Sequence, residues 1–400
     1  MITVNEAVKK INDTVFPLRG VKTAISTAAG CRLTETIKST INVPDFDCSI
    51  MDGIAFKYDD LSGETPWRFP LQTTIAAGDK TIPELKSGHA VKIMTGAPLP
   101  PGADTVQKIE DIEIINGEAL LSDKGTKGMF VRPQGDDIKT DDILFEAGTV
   151  LTAVDCGVLA SIGLTEVEVV PYPRIAVLST GTEIVDPGQE RRYGQRFDSN
   201  KTTLLSLLQV DGYPVEQIKA VLPDKIKTLQ ETLLSCLTKY NLVITSGGVS
   251  MGDFDYIPKV ILEIGGKILF HKVKVKPGKP VLIAQLGNSW LVALPGNPVG
   301  VVTGYHLYIK RIIKSLMDKP YQPKNSEATL DGEINLKGSR FGMIGAFLKI
   351  NGNGKVVAQP VTKQDSGRLS SVKGINGFIM LDETERIKQS GDAVHVEWLY

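Results

Sequence analysis

Three short glycine-rich runs hold the residues best suited to chemistry: Ser179-Thr-Gly-Thr-Glu183, Thr245-Ser-Gly-Gly-Val-Ser-Met-Gly252 and Leu294-Pro-Gly-Asn-Pro298. Each begins where a short apolar run ends. Glycine lets backbone N–H groups approach an oxyanion, and a helix that follows adds its positive end. One such turn could simply make a tight connection. Three on one sheet edge point to a crevice for phosphate or another oxyanion, with Gly181, Ser246, Gly247, Gly248 and Ser250 in its turns. Carboxylates flank the same turns: Glu183, Asp224, Asp253 and Asp255. Asp224 and Asp255 suit the N-caps of the helices that follow. The group also suits Mg²⁺, which takes one or two carboxylates together with substrate oxygens and water.

A cationic stretch follows at residues 271–280. Lys272, Lys274 and Lys276 alternate with Val273 and Val275, and Lys279 comes after Pro277-Gly278. Read as one strand, that spacing puts three ammonium groups on one face. Such a row either guards an edge strand or walls a site for a polyanion. Neither a GxxxxGK[ST] loop nor a GxGxxG turn after the first α/β strand is present, which disfavours a P-loop ATPase and a nicotinamide dehydrogenase. Outside this region, Asp52, Thr95 and Asp137 sit in polar or proline-flanked strings that spacing alone reads as turns.

Elements of several kinds must position these residues. Val4, Ala7 and Val8 predict an N-terminal helix, and Leu33, Ile37 and Ile41 repeat that spacing further on. Residues 43–139 are short β-branched runs punctuated by Gly and Pro, a β-rich module. Residues 153–162 read as a helix, and 140–170 can rejoin residues 1–42 as one discontinuous mixed helical domain, with the β module inserted. Between 171 and 320, strands at 174–178, 214–221, 242–245, 267–275, 281–285 and 290–294 alternate with helices at 201–210, 224–239, near 255 and from 298. That alternation predicts a doubly wound, mostly parallel α/β sheet with ligands at the strands' carboxyl ends. Residues 321–400 turn strand-like again, a small β-barrel. The fold class is thus multidomain α/β.

Bulk properties bound the function. With 400 residues, 42% hydrophobic and 23% charged, the chain has the composition of a globular protein of several domains. Its net charge of −1 gives no global field for nucleic acid or anionic membrane. Four scattered cysteines and four scattered histidines show no zinc spacing. The opening MITVNEAVKK lacks the apolar stretch of a signal peptide, and no run reaches membrane-span length, so a cytoplasmic protein is expected.

Together the strings resemble the MoeA family, which includes the enzymatic C-terminal domain of gephyrin. The resemblance is carried by Ser49-Ile-Met-Asp-Gly53, Met94-Thr-Gly-Ala-Pro98, Arg132 with Gly135-Asp-Asp137, and Leu178-Ser-Thr-Gly-Thr-Glu183. It continues through Ser246-Gly-Gly-Val-Ser-Met-Gly-Asp-Phe-Asp255, Lys276-Pro-Gly-Lys-Pro280, Leu294-Pro-Gly-Asn-Pro298, Asp365-Ser-Gly367 and Asn376-Gly377. These occur in family order over almost the whole chain.

The resemblance implies a magnesium-dependent enzyme that takes adenylylated molybdopterin and molybdate, inserts the metal and releases AMP. It implies four domains and a homodimer, with the active cleft between the α/β domain of one subunit and the β module of the other. It implies catalytic roles for Asp52, Thr95, Asp137, Glu183, Asp224 and Asp255, with Glu183 and Asp255 near the metal. It also assigns Lys274, Lys276, Lys279, Pro295 and Pro298 to substrate. A separate molybdopterin adenylyltransferase would supply the substrate, and recipient molybdoenzymes would take the product. Thr182 stands where an acidic residue is frequent in the family, and Lys225 where a second aspartate is common. The α/β core alone would also fit a molybdopterin adenylyltransferase or a CinA-like hydrolase. Met51-Asp-Gly53 and the C-terminal β domain argue against both. A non-catalytic scaffold is the alternative of another class, and the intact acidic and lysine positions argue against it.

Overall fold

The computed structural model describes residues 1–222, 225–249, 256–362 and 364–399. The chain divides into two compact units, Met1–Gly20 with Val170–Tyr400, and Val21–Val169.

The larger unit is organised by a six-stranded sheet in the order Val215–Leu222, Ile175–Thr180, Leu242–Ser246, Ser289–Leu294, Leu282–Leu286, Lys267–His271. The first four strands and the last run in the same direction, and Leu282–Leu286 between them runs antiparallel to both its neighbours. Parallel central strands are covered on both faces, so they read as unbroken apolar runs. Ile175, Val177, Leu242, Ile244, Val292 and Leu294 enter one core. Ala176, Leu178, Val243, Leu291 and Ala293 enter another. Helix Ser199–Val210 covers the first face through Leu204 and Leu208. Helix Ile226–Lys239 covers the second through Leu229, Leu233 and Leu237.

The chain leaves Ile175–Thr180 for the strand on one side and returns to Leu242–Ser246 on the other. Order therefore reverses between these two strands, the switch point at which open α/β sheets bind ligands.

The N-terminal helix Val4–Thr14 is started by a capping box. The Glu6 N–H donates to Thr3 Oγ1 (3.2 Å), and the Thr3 N–H donates to Glu6 Oε2 (2.8 Å). Its Val4, Ala7 and Ile11 pack into the first core. The repeat of this spacing at Leu33, Ile37 and Ile41 forms no helix. Arg32–Leu33 and Ile37–Lys38 are two-residue strands that pair with β structure instead. Three apolar residues at i, i+4 and i+8 fit a helix, but two-residue strands separated by turns produce the same spacing.

The expected single strand over 267–275 also breaks. It ends at His271, and Lys272 has φ +70°, which turns the chain. Val275–Lys276 then pairs with Phe341 and Gly342 of the C-terminal domain. Lys272, Lys274 and Lys276 therefore do not form one lysine face. The Ile2 carbonyl accepts the Lys274 N–H (2.8 Å), tying the lysine stretch to the N-terminus instead.

In the C-terminal domain, strands Asn325–Leu330, Phe341–Ile350, Val356–Pro360, Gly377–Leu381 and Ala393–Trp398 close into a five-stranded barrel. Leu330, Ile344, Leu348, Ile379 and Val396 are among the residues that fill it.

In the smaller unit, a six-stranded sheet runs Thr105–Lys108, Gly53–Phe56, Ala90–Ile93, Trp67–Ile75, Glu118–Leu121, Ile112–Ile115. Val21–Ala24 pairs with Glu166–Val170 across the stretch that holds this sheet. Helix Ala153–Ser161 forms where its pattern predicts, capped by Thr152.

The long helical stretch after Pro298 contains a π-helical segment, Tyr305–Ile309. His306 within it is 2% exposed, and neither ring nitrogen has a hydrogen-bond partner among the described residues. Burial pushes its pKa down to about 3. The imidazole is thus neutral when folded but titrates near its ordinary value of about 6.5 when unfolded. Unfolded chains then bind more protons below that value, so folding stability falls as pH drops. The loss should begin near pH 6.5 and grow as the pH falls toward the folded value.

Nearby Glu397 has its pKa raised by burial, which acts in the opposite direction. The difference between wild type and His306→Leu isolates the histidine. Thermal unfolding from pH 7.5 to 4.5 should show the variant losing less stability with acid. Parallel curves would refute the assignment.

Candidate active site

The turns after three adjacent parallel strands meet in one cleft of about 750 Å³. Gly181, Glu183, Ser246, Gly247, Pro295 and Pro298 all line it. The cleft lies at the switch point, so the glycine turns converge as the spacing of strands and helices predicts.

Two of the glycine N–H groups are nonetheless already used. The Gly181 N–H donates to the Leu222 carbonyl (3.1 Å) and that of Gly247 to the Leu294 carbonyl (3.0 Å). These bonds sew the turns together rather than leaving those two amides for a ligand. Gly247 is required by close approach. A Cβ there would lie 2.6 Å from the Thr180 carbonyl oxygen, and φ is +97°.

Glu183 lies in the turn after Ile175–Thr180, and its carboxylate has no ion-pair or hydrogen-bond partner among the described residues. Such a carboxylate at the edge of this cleft fits one protein ligand of Mg²⁺, with substrate oxygens and water completing the shell. Asp224, Ser250 and Asp255 lie outside the described residues, as does Asp253. Among the described residues no cluster of three or more His, Cys, Asp or Glu could hold a metal by itself.

A second pocket of about 590 Å³ opens where the α/β domain meets the barrel. Lys276, Lys279 and Arg340 line it, opposed by Glu333 and Asp365. Asp365 is also 3.9 Å from Arg368, which offsets part of its charge. The two cavities share Pro280 and Asn297 in their walls. Asn297 Nδ2 donates to Ser366 Oγ (3.4 Å), and the Val299 N–H donates to the Ser366 carbonyl (3.2 Å), fastening barrel to sheet at this point.

Lys276 and Lys279 thus gather as anticipated, whereas Lys274 does not line the pocket. Arg340 was missed. It stands far from the lysines in sequence and belongs to another domain, so no spacing rule connects them.

In the smaller unit, the structure joins two residues that the sequence left apart. Asp52 Oδ1 accepts both the backbone N–H and the hydroxyl of Thr95, each at 2.7 Å. Pairing of Gly53 with Ile93 in the sheet delivers them to one edge. Ser49 exchanges backbone bonds with Gly96 and Ala97 beside them. The hydrogen bonds from Thr95 hold the Asp52 carboxyl below its ordinary pKa. Thr95→Val removes the larger of these bonds, so the Asp52 carboxyl should titrate at higher pH, read by carboxyl carbon NMR. An unchanged titration would show that the hydroxyl does not matter. Asp137 is exposed in a separate loop, 3.9 Å from Arg132, and its backbone N–H donates to the Val43 carbonyl.

Residues 176–315, which build the sheet and its cleft, match the probable molybdopterin binding domain. A doubly wound domain of that kind, joined to a barrel, places the protein in the class that works on molybdopterin during cofactor synthesis. Residues 2–163 match the MoeA N-terminal region (domain I and II), and 327–399 the MoeA C-terminal region (domain IV). The molybdopterin molybdenumtransferase of Haemophilus influenzae is 33% identical over 405 residues, covering 99% of this chain and 98% of that protein. The Staphylococcus epidermidis protein of the same name is 32% identical over 401 residues, covering 99% and 95%. A crystal structure of the Pyrococcus horikoshii MoeA protein superposes with a TM-score of 0.79 at 27% identity, covering 100% of this chain and 99% of that one. The chain belongs to the MoeA family of molybdopterin molybdenumtransferases, and it is an enzyme of molybdenum-cofactor biosynthesis. Among the described residues no helix is long and apolar enough to cross a membrane.

Proposed function

We propose that the enzyme inserts molybdenum into adenylylated molybdopterin, with molybdate as the second substrate and AMP as the released product. The observation that carries this reading is the shared wall of the two cavities. Insertion needs two reactants side by side, a pterin bearing a phosphoanhydride and a small tetrahedral dianion. The larger cleft, with its glycine turns and Ser246, suits the first. The pocket with Lys276, Lys279 and Arg340 suits the second, because a dianion in a chain of net charge −1 needs a local cationic site.

Glu183 would hold Mg²⁺ with substrate oxygens, and Asp255 would join it from outside the described residues. The ion would offset charge at the phosphoanhydride as AMP departs. Asp52 and Thr95 act as one hydrogen-bonded unit, and we propose catalytic roles for them and for Asp137. The enzyme works as a cytoplasmic homodimer, fed by a separate molybdopterin adenylyltransferase and supplying recipient molybdoenzymes.

The test is AMP release from adenylylated molybdopterin by the purified chain with Mg²⁺, with and without molybdate. Molybdate-stimulated release is expected, with a product that reconstitutes a molybdoenzyme. ATP-dependent adenylylation of molybdopterin in its place would move the function to an adenylyltransferase.

A further inference from the structure

Asn200 stands in the first turn of helix Ser199–Val210, inside the cleft wall. Its side-chain amide spends both hydrogens on two different turns. Nδ2 donates to Ser246 Oγ at 2.7 Å and to the Gly296 carbonyl at 2.9 Å. Its Oδ1 is buried and has no hydrogen-bond partner among the described residues. The Gly296 carbonyl can only accept, so the amide orientation is set by that contact.

The consequence falls on Ser246, which is 3% exposed and lines the cleft. A hydroxyl has one proton and two lone pairs. With one lone pair taken by Asn200, its proton must point elsewhere, and the hydroxyl donates no hydrogen bond among the described residues. The neighbouring Gly181 and Gly247 amides are already bonded within the protein. Ser246 is then a donor held ready for a ligand.

We propose that Asn200 is a positioning residue for the reaction: it turns the Ser246 hydroxyl proton toward the cleft, where it donates to a phosphate oxygen of the substrate. The inference rests on the reading of this cleft as the phosphoanhydride site.

A double-mutant cycle on the full chain tests it, with inorganic pyrophosphate as the probe in titration calorimetry. Asn200→Ala and Ser246→Ala should each weaken pyrophosphate binding by about tenfold, within the range for a hydrogen bond to a charged group. The double variant should bind no more weakly than either single one, since both act through one proton. A residue that merely braces the two turns would give losses that multiply.

Asn200→Asp, of the same shape, provides the second variant. A carboxylate accepts only, so the Ser246 hydroxyl would donate to it and turn from the cleft. That variant should bind pyrophosphate less tightly than Asn200→Ala, measured at a temperature where melting curves show both variants folded. Multiplying losses, unchanged affinity in either single variant, or no pyrophosphate binding by the wild type would overturn the proposal. The reading of the overall reaction fails separately, if the variants show this pattern yet the wild type releases no AMP.

Discussion

Gly247→Ala lowers kcat/KM for AMP release by at least about 100-fold, equivalent to roughly 2.7 kcal/mol of transition-state stabilisation. The added methyl would lie 2.6 Å from the Thr180 carbonyl oxygen and 2.7 Å from its Oγ1. Both distances are too short to persist, and the first contact is backbone, which cannot swing aside. The φ of +97° adds strain of about 1–3 kcal/mol for any residue with a Cβ. Relief requires the turns after Ile175–Thr180 and Leu242–Ser246 to separate. That movement would break the bond from Thr180 Oγ1 to the Ser246 carbonyl and displace the Ser246 hydroxyl. Gly287→Ala is the control. Gly287 has φ +59° in a hairpin turn, and a Cβ there meets nothing within 4 Å. Its kcat/KM should stay within about twofold of wild type, because αL geometry without a clash is a mild cost far from the cleft. Steady-state kinetics on the three proteins decide the matter. A loss below tenfold for Gly247→Ala would mean that the two turns are not held at a required spacing.

The legible part of this protein is the part where local pattern and tertiary environment agree. Ile175–Thr180 and Leu242–Ser246 are buried on both faces, so their sequences are apolar as far as Leu178 and Ile244, and two small hydroxyl residues lead each into its glycine turn. Helix Ile226–Lys239 shows its stripe because one face packs on the sheet and the other meets solvent. Reading fails where long-range pairing decides. Leu33 and Ile37 have helical spacing, yet strand partners more than a hundred residues away capture their segments. The lysine stretch alternates like a strand, but Ile2 and Phe341 bond to opposite sides of Lys274 and divide it.

Sites follow the same division. The cleft was visible because each turn carries its own glycine signal. The pairing of Asp52 with Thr95 was not, since strand register alone brings them together. Asn200 was overlooked for a related reason. Asp198 caps the helix that holds it, accepting from the Lys201 N–H at 2.9 Å. Nothing local reveals that Asn200 reaches two other turns.

The second large effect concerns the oxyanion reactant. Removing two of the three cations of the smaller pocket, in Lys279→Ala with Arg340→Ala, should raise the molybdate concentration for half-maximal stimulation at least about 100-fold. A hydrogen bond to a charged group contributes about 1.5–3 kcal/mol, and each 1.4 kcal/mol is a factor of ten. Two such bonds to one small dianion do not add fully, which sets the lower bound rather than the product. Charge alone does not explain the site, because Glu333 and Asp365 line it as well. With two cations gone these carboxylates would outnumber Lys276 and repel the dianion. Lys276→Ala alone should therefore cost about tenfold, and Glu333→Gln should improve affinity modestly. Molybdate titrations of AMP release at fixed, saturating pterin substrate separate these outcomes. The maximal rate should change less than the half-saturating concentration, since these residues bind molybdate and Glu183 stands in the other cavity. If the double variant instead lost rate at saturating molybdate with an unchanged half-saturating concentration, the pocket would be serving the phosphoanhydride. The oxyanion reactant would then have to enter through the larger cleft.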